Sequence, residues 1–331
     1  MFSWTVIATT GERFADFAPY VASVNDIGTV AFQAALRRGG TGVFAGGGGA
    51  VAEAAGPSLV GGVTSHPDLN NAGAMSFYGD LLGGGQGVFL LRDGRLQTVA
   101  DTRGPFAQIG PLGPTMNEAG TVAFRADLAA GVSGICAGDA STAVTVADSE
   151  GPWCRFHGLP VINRGGTVVF RGDRQDGVQG IYAALEGSIR TVAESGDRFE
   201  TLAPFPSISD DESVAFAATL TGGGAGVFTV QEGRTIAILD TDGEFESYRG
   251  ALITSAGLVV HLATPRGGNL GLFAGPDPEA DRILAIGDRL LGSSITELAS
   301  NPVSVNAAGQ VAIRARLADG RQLILRADPG S

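Results

Sequence analysis

The chain has no lysine, and all 22 of its basic residues are arginine. A Schiff-base lysine, a lysine-held pyridoxal cofactor and a phosphate-loop lysine are therefore excluded. A basic surface for nucleic acid or an anionic membrane is missing as well. No arginine run exceeds the pair Arg37 and Arg38, and 34 acidic residues leave a net charge of −12, so neither partner is expected. Histidine and cysteine are scarce, at three and two residues. With no HExxH, GxSxG or paired Cys/His spacing, a multi-histidine metal site is not expected and no cofactor is implied. A calcium ion held by loop carboxylates would have no signature loop here. Cys136 and Cys154 read as free thiols. No stretch approaches the roughly 18 apolar residues of a spanning helix. The opening Met1-Phe2-Ser3-Trp4 lacks a basic region followed by an apolar run, so the chain reads as soluble and cytoplasmic.

What the chain has in quantity is glycine, 52 residues, with 44% hydrophobic and only 17% charged residues. That composition suits short strands joined by tight turns around a continuous core. Internal repetition then decides the architecture. A pattern Asn-x-x-Gly-x-Val-Ala-Phe is clear at Asn25 to Phe32, Asn117 to Phe124 and Asn163 to Phe170, and slightly altered at Asn70 to Phe77. Weaker copies run from Ser209 to Phe216, Thr254 to His261 and Asn306 to Ile313, and successive anchors lie 45, 47, 46, 46, 45 and 52 residues apart. Units of this length, rich in β-branched residues and lacking a 3.6-residue period, predict an all-β, seven-bladed β-propeller forming one domain over residues 1–331.

The third unit illustrates the expected four strands: Pro114 to Met116, Thr121 to Asp127, Gly134 to Ala137 and Ala143 to Ala147. The Asn-x-x-Gly step reads as an Asx-stabilised turn, and alternation places Phe124 between blades. The seventh unit stops after its third strand, while Thr5-Val6-Ile7-Ala8 resembles the fourth strands Thr98-Val99-Ala100 and Thr191-Val192-Ala193. Pairing the first strand with the last blade would close the ring and remove exposed edges.

These repeats resemble those of a group of bacterial tandem-repeat proteins carrying N-D-A-G-x-V-A-F units, with Asn25-Asp26-Ile27-Gly28-Thr29-Val30-Ala31-Phe32 as the nearest copy. The resemblance spans essentially the whole chain and implies a β-propeller. It carries no functional residues.

In a propeller the loops leading into the first strands gather on one face, here called the upper face, and the Asn turns on the other. Residues two before each anchor, Ser23, Asp68, Thr115, Val161, Ser207, Leu252 and Ser304, are expected to line the channel. Residues four to eight before it, including Tyr20, Ser65, His66, Arg155, His157, Tyr248 and Arg249, are expected at the upper mouth. The stretch Trp153-Cys154-Arg155-Phe156-His157 departs most from the repeat and combines a proton shuttle, an anion anchor and aromatic surface. A well-packed loop with a solvated Arg and His is the competing reading. His66 reads equally as a capped loop residue, and His261, standing where other units place Phe, as a core substitution. Asp80, Asp127 and Asp173 end second strands, where they satisfy local amides or, for Asp173 or Asp127, orient His157 as a general base requires.

The expected site thus comprises His157, Asp173 and Tyr248 as catalytic groups, with Tyr20, His66, Trp153, Arg155, Phe156, Arg174, Arg249 and Arg266 around a small organic molecule. An enzyme of bacterial secondary metabolism is the favoured reading. A non-catalytic module recognising a protein or glycan is the alternative, and it would display Trp153, Phe156, Phe199 and Phe205 on an exposed face.

Overall fold

A computed structural model describes residues 2–128 and 131–330. The chain forms seven antiparallel sheets arranged as the blades of a propeller. Blades 1 to 6 occupy residues 14–55, 62–101, 106–148, 153–194, 199–240 and 245–285. Blade 4 shows the plan, with Trp153–Ile162 innermost, then Val168–Arg174, Gln179–Leu185 and Ser188–Glu194. Blade 7 takes Ser293–Ala299, Val311–Leu317 and Gln322–Pro329 from the C-terminal end. Its outermost strand is Phe2–Thr9, which runs antiparallel to Gln322–Pro329 from the pair Phe2/Pro329 to Thr9/Leu323. The ring is closed by the N-terminal strand, as the truncated seventh repeat requires.

Blades 1 to 6 are each built on an aromatic set that the repeat places at fixed register, and blade 7 has Ile313 and Leu325 there instead. In the second strands Phe32, Phe77, Phe124, Phe170 and Phe216 are fully buried. Opposite them on the third strands stand Phe44, Phe89, Cys136, Tyr182 and Phe228. The innermost strand adds another ring, as in Phe14 against Phe32 and Phe44 at centroid distances of 5.7 and 4.9 Å. His261 takes the phenylalanine place in blade 6, 1% exposed and 5.8 Å from the Phe273 ring in a stacked arrangement. Such contacts between edges and faces add to the burial of each ring.

The Asn turns are Asx turns. The Oδ1 atoms of Asn25, Asn70, Asn117, Asn163 and Asn306 each accept the amide of the residue four positions on, all at 2.9 Å. Several of the same side chains reach into the next blade. Asn306 Nδ2 donates to the Asn25 carbonyl, Asn25 Nδ2 to that of Asn70, and Asn163 Nδ2 to that of Ser209. A second series of staples lies one step deeper. Thr115 Oγ1 donates to Pro160 O, Ser207 Oγ to Ile253 O and Ser304 Oγ to Ala22 O. Asp68 Oδ2 accepts the Met116 amide at 2.7 Å. At these four positions the polar residue two before the anchor is therefore a joint between blades. Asp68, Thr115, Val161 and Ser207 also line an axial cavity of about 140 Å³ that opens among the Asn turns.

One feature of the innermost strands differs from the expected pattern. In blade 3 the strand has two pieces, Phe106–Ile109 and Thr115–Met116, and only the second was anticipated. Blades 1, 2 and 5 are split in the same way. Blades 4 and 6 keep one long strand interrupted by β-bulges. Residues expected in loops before the first strand thus sit in its outer half or at its break.

Candidate functional site

His157 lies on the innermost strand of blade 4, opposite Arg171, with Asp173 two residues further along the neighbouring strand. Arg171 and Asp173 share one face of their strand because side chains alternate. A β-bulge between Trp153 and Arg155 and another between His157 and Val161 turn the histidine onto that face. The imidazole Nε2 stands 2.7 Å from Asp173 Oδ2. The other carboxylate oxygen, Oδ1, takes a hydrogen bond from Arg171 Nη1. Arg171 is itself fixed, its side chain 5% exposed and its Nε donating to Leu202 O in blade 5 at 3.4 Å. Burial pushes the Asp173 carboxyl up, but hydrogen bonds from Arg171 and His157 outweigh it and hold the group below the usual carboxylate range. An ionised Asp173 requires the proton on Nε2 and leaves Nδ1 with the free lone pair. The imidazole is 30% exposed, so this nitrogen belongs to a side chain that solutes reach.

Gly158 fixes the backbone beside the histidine. Its φ is +61°, and a Cβ built there would lie 1.9 Å from the Pro204 carbonyl oxygen of blade 5. Its own carbonyl accepts Arg125 Nη1 from blade 3 at 3.2 Å. Three blades therefore meet at this one residue.

Of the remaining candidates, Arg155 stands opposite Asp173, and most of the others lie apart from this group. Trp153 and Phe156, expected at the mouth, are 7% and 2% exposed and pack against Phe170 in the core. Trp153 occupies the register position of Phe14, Phe106, Phe199 and Phe245 and is the ordinary aromatic of the repeat. The signal was present in the sequence as a glycine two or three residues before an aromatic, in Gly104-Pro105-Phe106, Gly151-Pro152-Trp153 and Gly243-Glu244-Phe245. His66, also expected at the mouth, is 2% exposed and presses on Gly113, and burial lowers its pKa to about 4. Tyr248 turns away from His157, its hydroxyl donating to the Asp240 carbonyl in blade 5 at 2.9 Å. Burial, then the nearby Asp240, pushes its pKa up to about 12.

Arg266 holds the same turn through the Gly243 and Thr241 carbonyls. Arg174 is paired with Asp176 at 2.9 Å and Glu194 at 3.4 Å. Arg155 and Arg249 are exposed. Tyr20 borders an upper-face cleft of about 380 Å³ shared with Thr64, Tyr78 and Pro111. Cys154 is exposed and Cys136 buried, both with free thiols. No helix among the described residues is long and apolar enough to cross a membrane.

No protein-family profile and no curated protein matches the chain. Solved structures do. An oligogalacturonate lyase in complex with manganese is 10% identical, with a TM-score of 0.64 over 100% of this chain and 98% of that one. The β-propeller domain of the trilobed protease from Pyrococcus furiosus, described as having an open velcro topology, is 12% identical, with a TM-score of 0.64 over 94% and 96%. A puromycin-hydrolysing peptidase of Mycobacterium tuberculosis is 14% identical, with a TM-score of 0.55 over 95% of this chain and 52% of that one. At these identities the likeness is one of fold.

Proposed function

We propose that this seven-bladed propeller is an enzyme that moves a proton on a small organic substrate bound at the upper face, with His157 as the proton-transfer group. The observation that supports this reading is the linear chain Arg171, Asp173, His157, in which an ionised carboxylate orients a partly exposed imidazole. That arrangement sets the tautomer and holds Nδ1 free to take a proton. A solvated surface histidine needs no such support. Arg155, exposed on the same strand and opposite Asp173, supplies a cation for an anionic group on the substrate.

Propellers of similar fold include a lyase and peptidase-associated domains, which is compatible with catalysis. Among the described residues no group of three or more His, Cys, Asp or Glu side chains is placed to hold a metal ion. The manganese named with the lyase is therefore not carried over. Of the aromatics that a binding module would display, Trp153, Phe156 and Phe199 are buried and Phe205 is partly exposed.

The test is turnover of a panel containing oligogalacturonate, peptide arylamides and small hydroxylated aromatics by the wild type, His157→Gln and Asp173→Asn. General acid–base catalysis contributes about 10²- to 10⁴-fold, so kcat in the histidine variant should fall by at least the lower figure with circular dichroism unchanged. An unaltered rate in His157→Gln removes the proposal.

A further inference from the structure

The position held by Arg171 in blade 4 is held by Arg125 in blade 3 and Arg314 in blade 7, each following the buried residue of the second strand. In blades 3 and 4 the guanidinium spans to a carbonyl of the next innermost strand, Gly158 O and Leu202 O. Blade 1 offers an equivalent of Leu202 in Phe17. Gln179 Oε1 accepts the Leu202 amide and Gln322 Oε1 the Phe17 amide, both at 3.1 Å. Arg314 does not use it. The side chain is 5% exposed and its Nη2 donates to Glu297 Oε1 at 2.7 Å, while Nε and Nη1 are buried without a partner.

Two further orphans lie close to it along the same pair of strands. Arg316 Nε and Ser300 Oγ are also buried with no hydrogen-bond partner. Arg316 is on the same strand face two residues on, and Ser300 follows Ala299, the register partner of Arg314. Among the described residues, four of the eleven buried side-chain N and O atoms lacking a partner thus fall in one short stretch of paired strands at the break of the blade 7 innermost strand. Three are guanidinium nitrogens, which can only donate, and the fourth is a hydroxyl able to donate. Among the described residues, Glu297 is the one carboxylate contacting the pair, 2.7 Å from Arg314 and 3.8 Å from Arg316. Two guanidinium groups against one carboxylate leave one positive charge uncompensated, in a chain whose net charge is −12.

We infer that Arg314, Arg316 and Ser300 form a binding site for the carboxylate of a small organic acid, seated beside or in place of Glu297. Buried donors are ordinarily paired, because leaving them dry forfeits their hydration without return. A single carboxylate supplies acceptors to several donors and cancels the residual charge. Glu297 and Arg316, whose side chains are 46% and 43% exposed, give this region its solvent-facing side. The site is in blade 7 and does not depend on His157, so the two assignments stand or fall separately.

Isothermal titration with D-galacturonate, citrate and inorganic phosphate, run on the wild type, Glu297→Gln and Arg314→Met, tests it. Methionine keeps an unbranched apolar stem for packing. A carboxylate probe is expected to bind the wild type one to one, about tenfold more tightly in Glu297→Gln, where the internal competitor is neutral, and at least tenfold more weakly in Arg314→Met. Absence of heat with both the wild type and Glu297→Gln at millimolar probe overturns the proposal. So does unchanged affinity in Arg314→Met, and binding of phosphate alone overturns its assignment to carboxylates.

Discussion

Asn25 and Asn70 hold equivalent places in adjacent blades, and the side chain of one is bonded to the backbone of the other. Asn25 Nδ2 donates to the Asn70 carbonyl at 3.0 Å while its Oδ1 accepts the Thr29 amide at 2.9 Å. One carboxamide therefore closes its own turn and joins two sheets. Asn25→Ala strands the Thr29 turn amide, at about 1–3 kcal/mol for an unsatisfied group, and removes the inter-blade bond to the Asn70 carbonyl, which keeps the Gly73 amide. Urea unfolding should show a lowered midpoint with an unchanged slope. A variant as stable as the wild type would mean that water replaces both bonds.

Gly158 allows blades 4 and 5 to touch, since any Cβ there meets the Pro204 carbonyl at 1.9 Å and φ is +61°. Gly158→Ala is expected to destabilise the chain by more than the roughly 1 kcal/mol that left-handed backbone alone costs a residue with a Cβ. It should also displace His157, so the loss of catalysis would exceed the loss of stability. Thermal unfolding and kcat, measured together, check both parts.

The two fully enclosed histidines set the acid limb of stability. Burial lowers His261 to about 4 from 6.5, and its Nε2 has no partner. The unfolded chain then binds the proton more readily. The stabilising contribution is complete above pH 6.5 and is lost as pH falls through 4, amounting to a few kcal/mol at most. His261→Phe restores the aromatic of the repeat and removes this titration. Chemical unfolding between pH 4 and 7 should show a flatter stability profile than the wild type, and an identical profile would contradict the burial of a neutral imidazole. His66, lowered in the same way, keeps part of the slope.

Asp68 acts in the opposite sense. Burial raises its carboxyl to about 7 from 3.8, although the Met116 and Leu69 amides pull it down. Its stabilising contribution is complete below the unfolded value and declines as pH rises through 7. Asp68→Asn cannot lose a proton, but it gives up one of two acceptor oxygens, at about 1 kcal/mol. The wild type should be the more stable at pH 5 and should lose that advantage by pH 8. A constant difference across this range would show that the joint between blades 2 and 3 is not titrating.

Much of the architecture is written in short-range chemistry. The number of blades, the Asx turns, the second-strand aromatics and the closing role of Thr5 to Ala8 all follow from turn residues at fixed spacing and from alternation within single strands. Each of these features is decided within about eight residues, so counting along the chain recovers it. Local counting offered Asp173 and Asp127 alike as partners for His157, both being carboxylates at strand ends, and the fold pairs the histidine with Asp173 while Asp127 accepts the Ser133 hydroxyl.

Other features needed the folded ring. Trp153 and Phe156 lie in the core while Cys154 and Arg155 face out, because a bulge between Trp153 and Arg155 reverses the alternation that would otherwise be counted back from Asn163. The buttress from Arg171, the contact of Gly158 with Pro204 and the orphaned donors of Arg314 all arise where one blade meets the next. Sequence determined the blade, since its hydrogen bonds and faces are local. Tertiary structure decided the site, since its members are brought together by bulges and by inter-blade packing that no repeat period records.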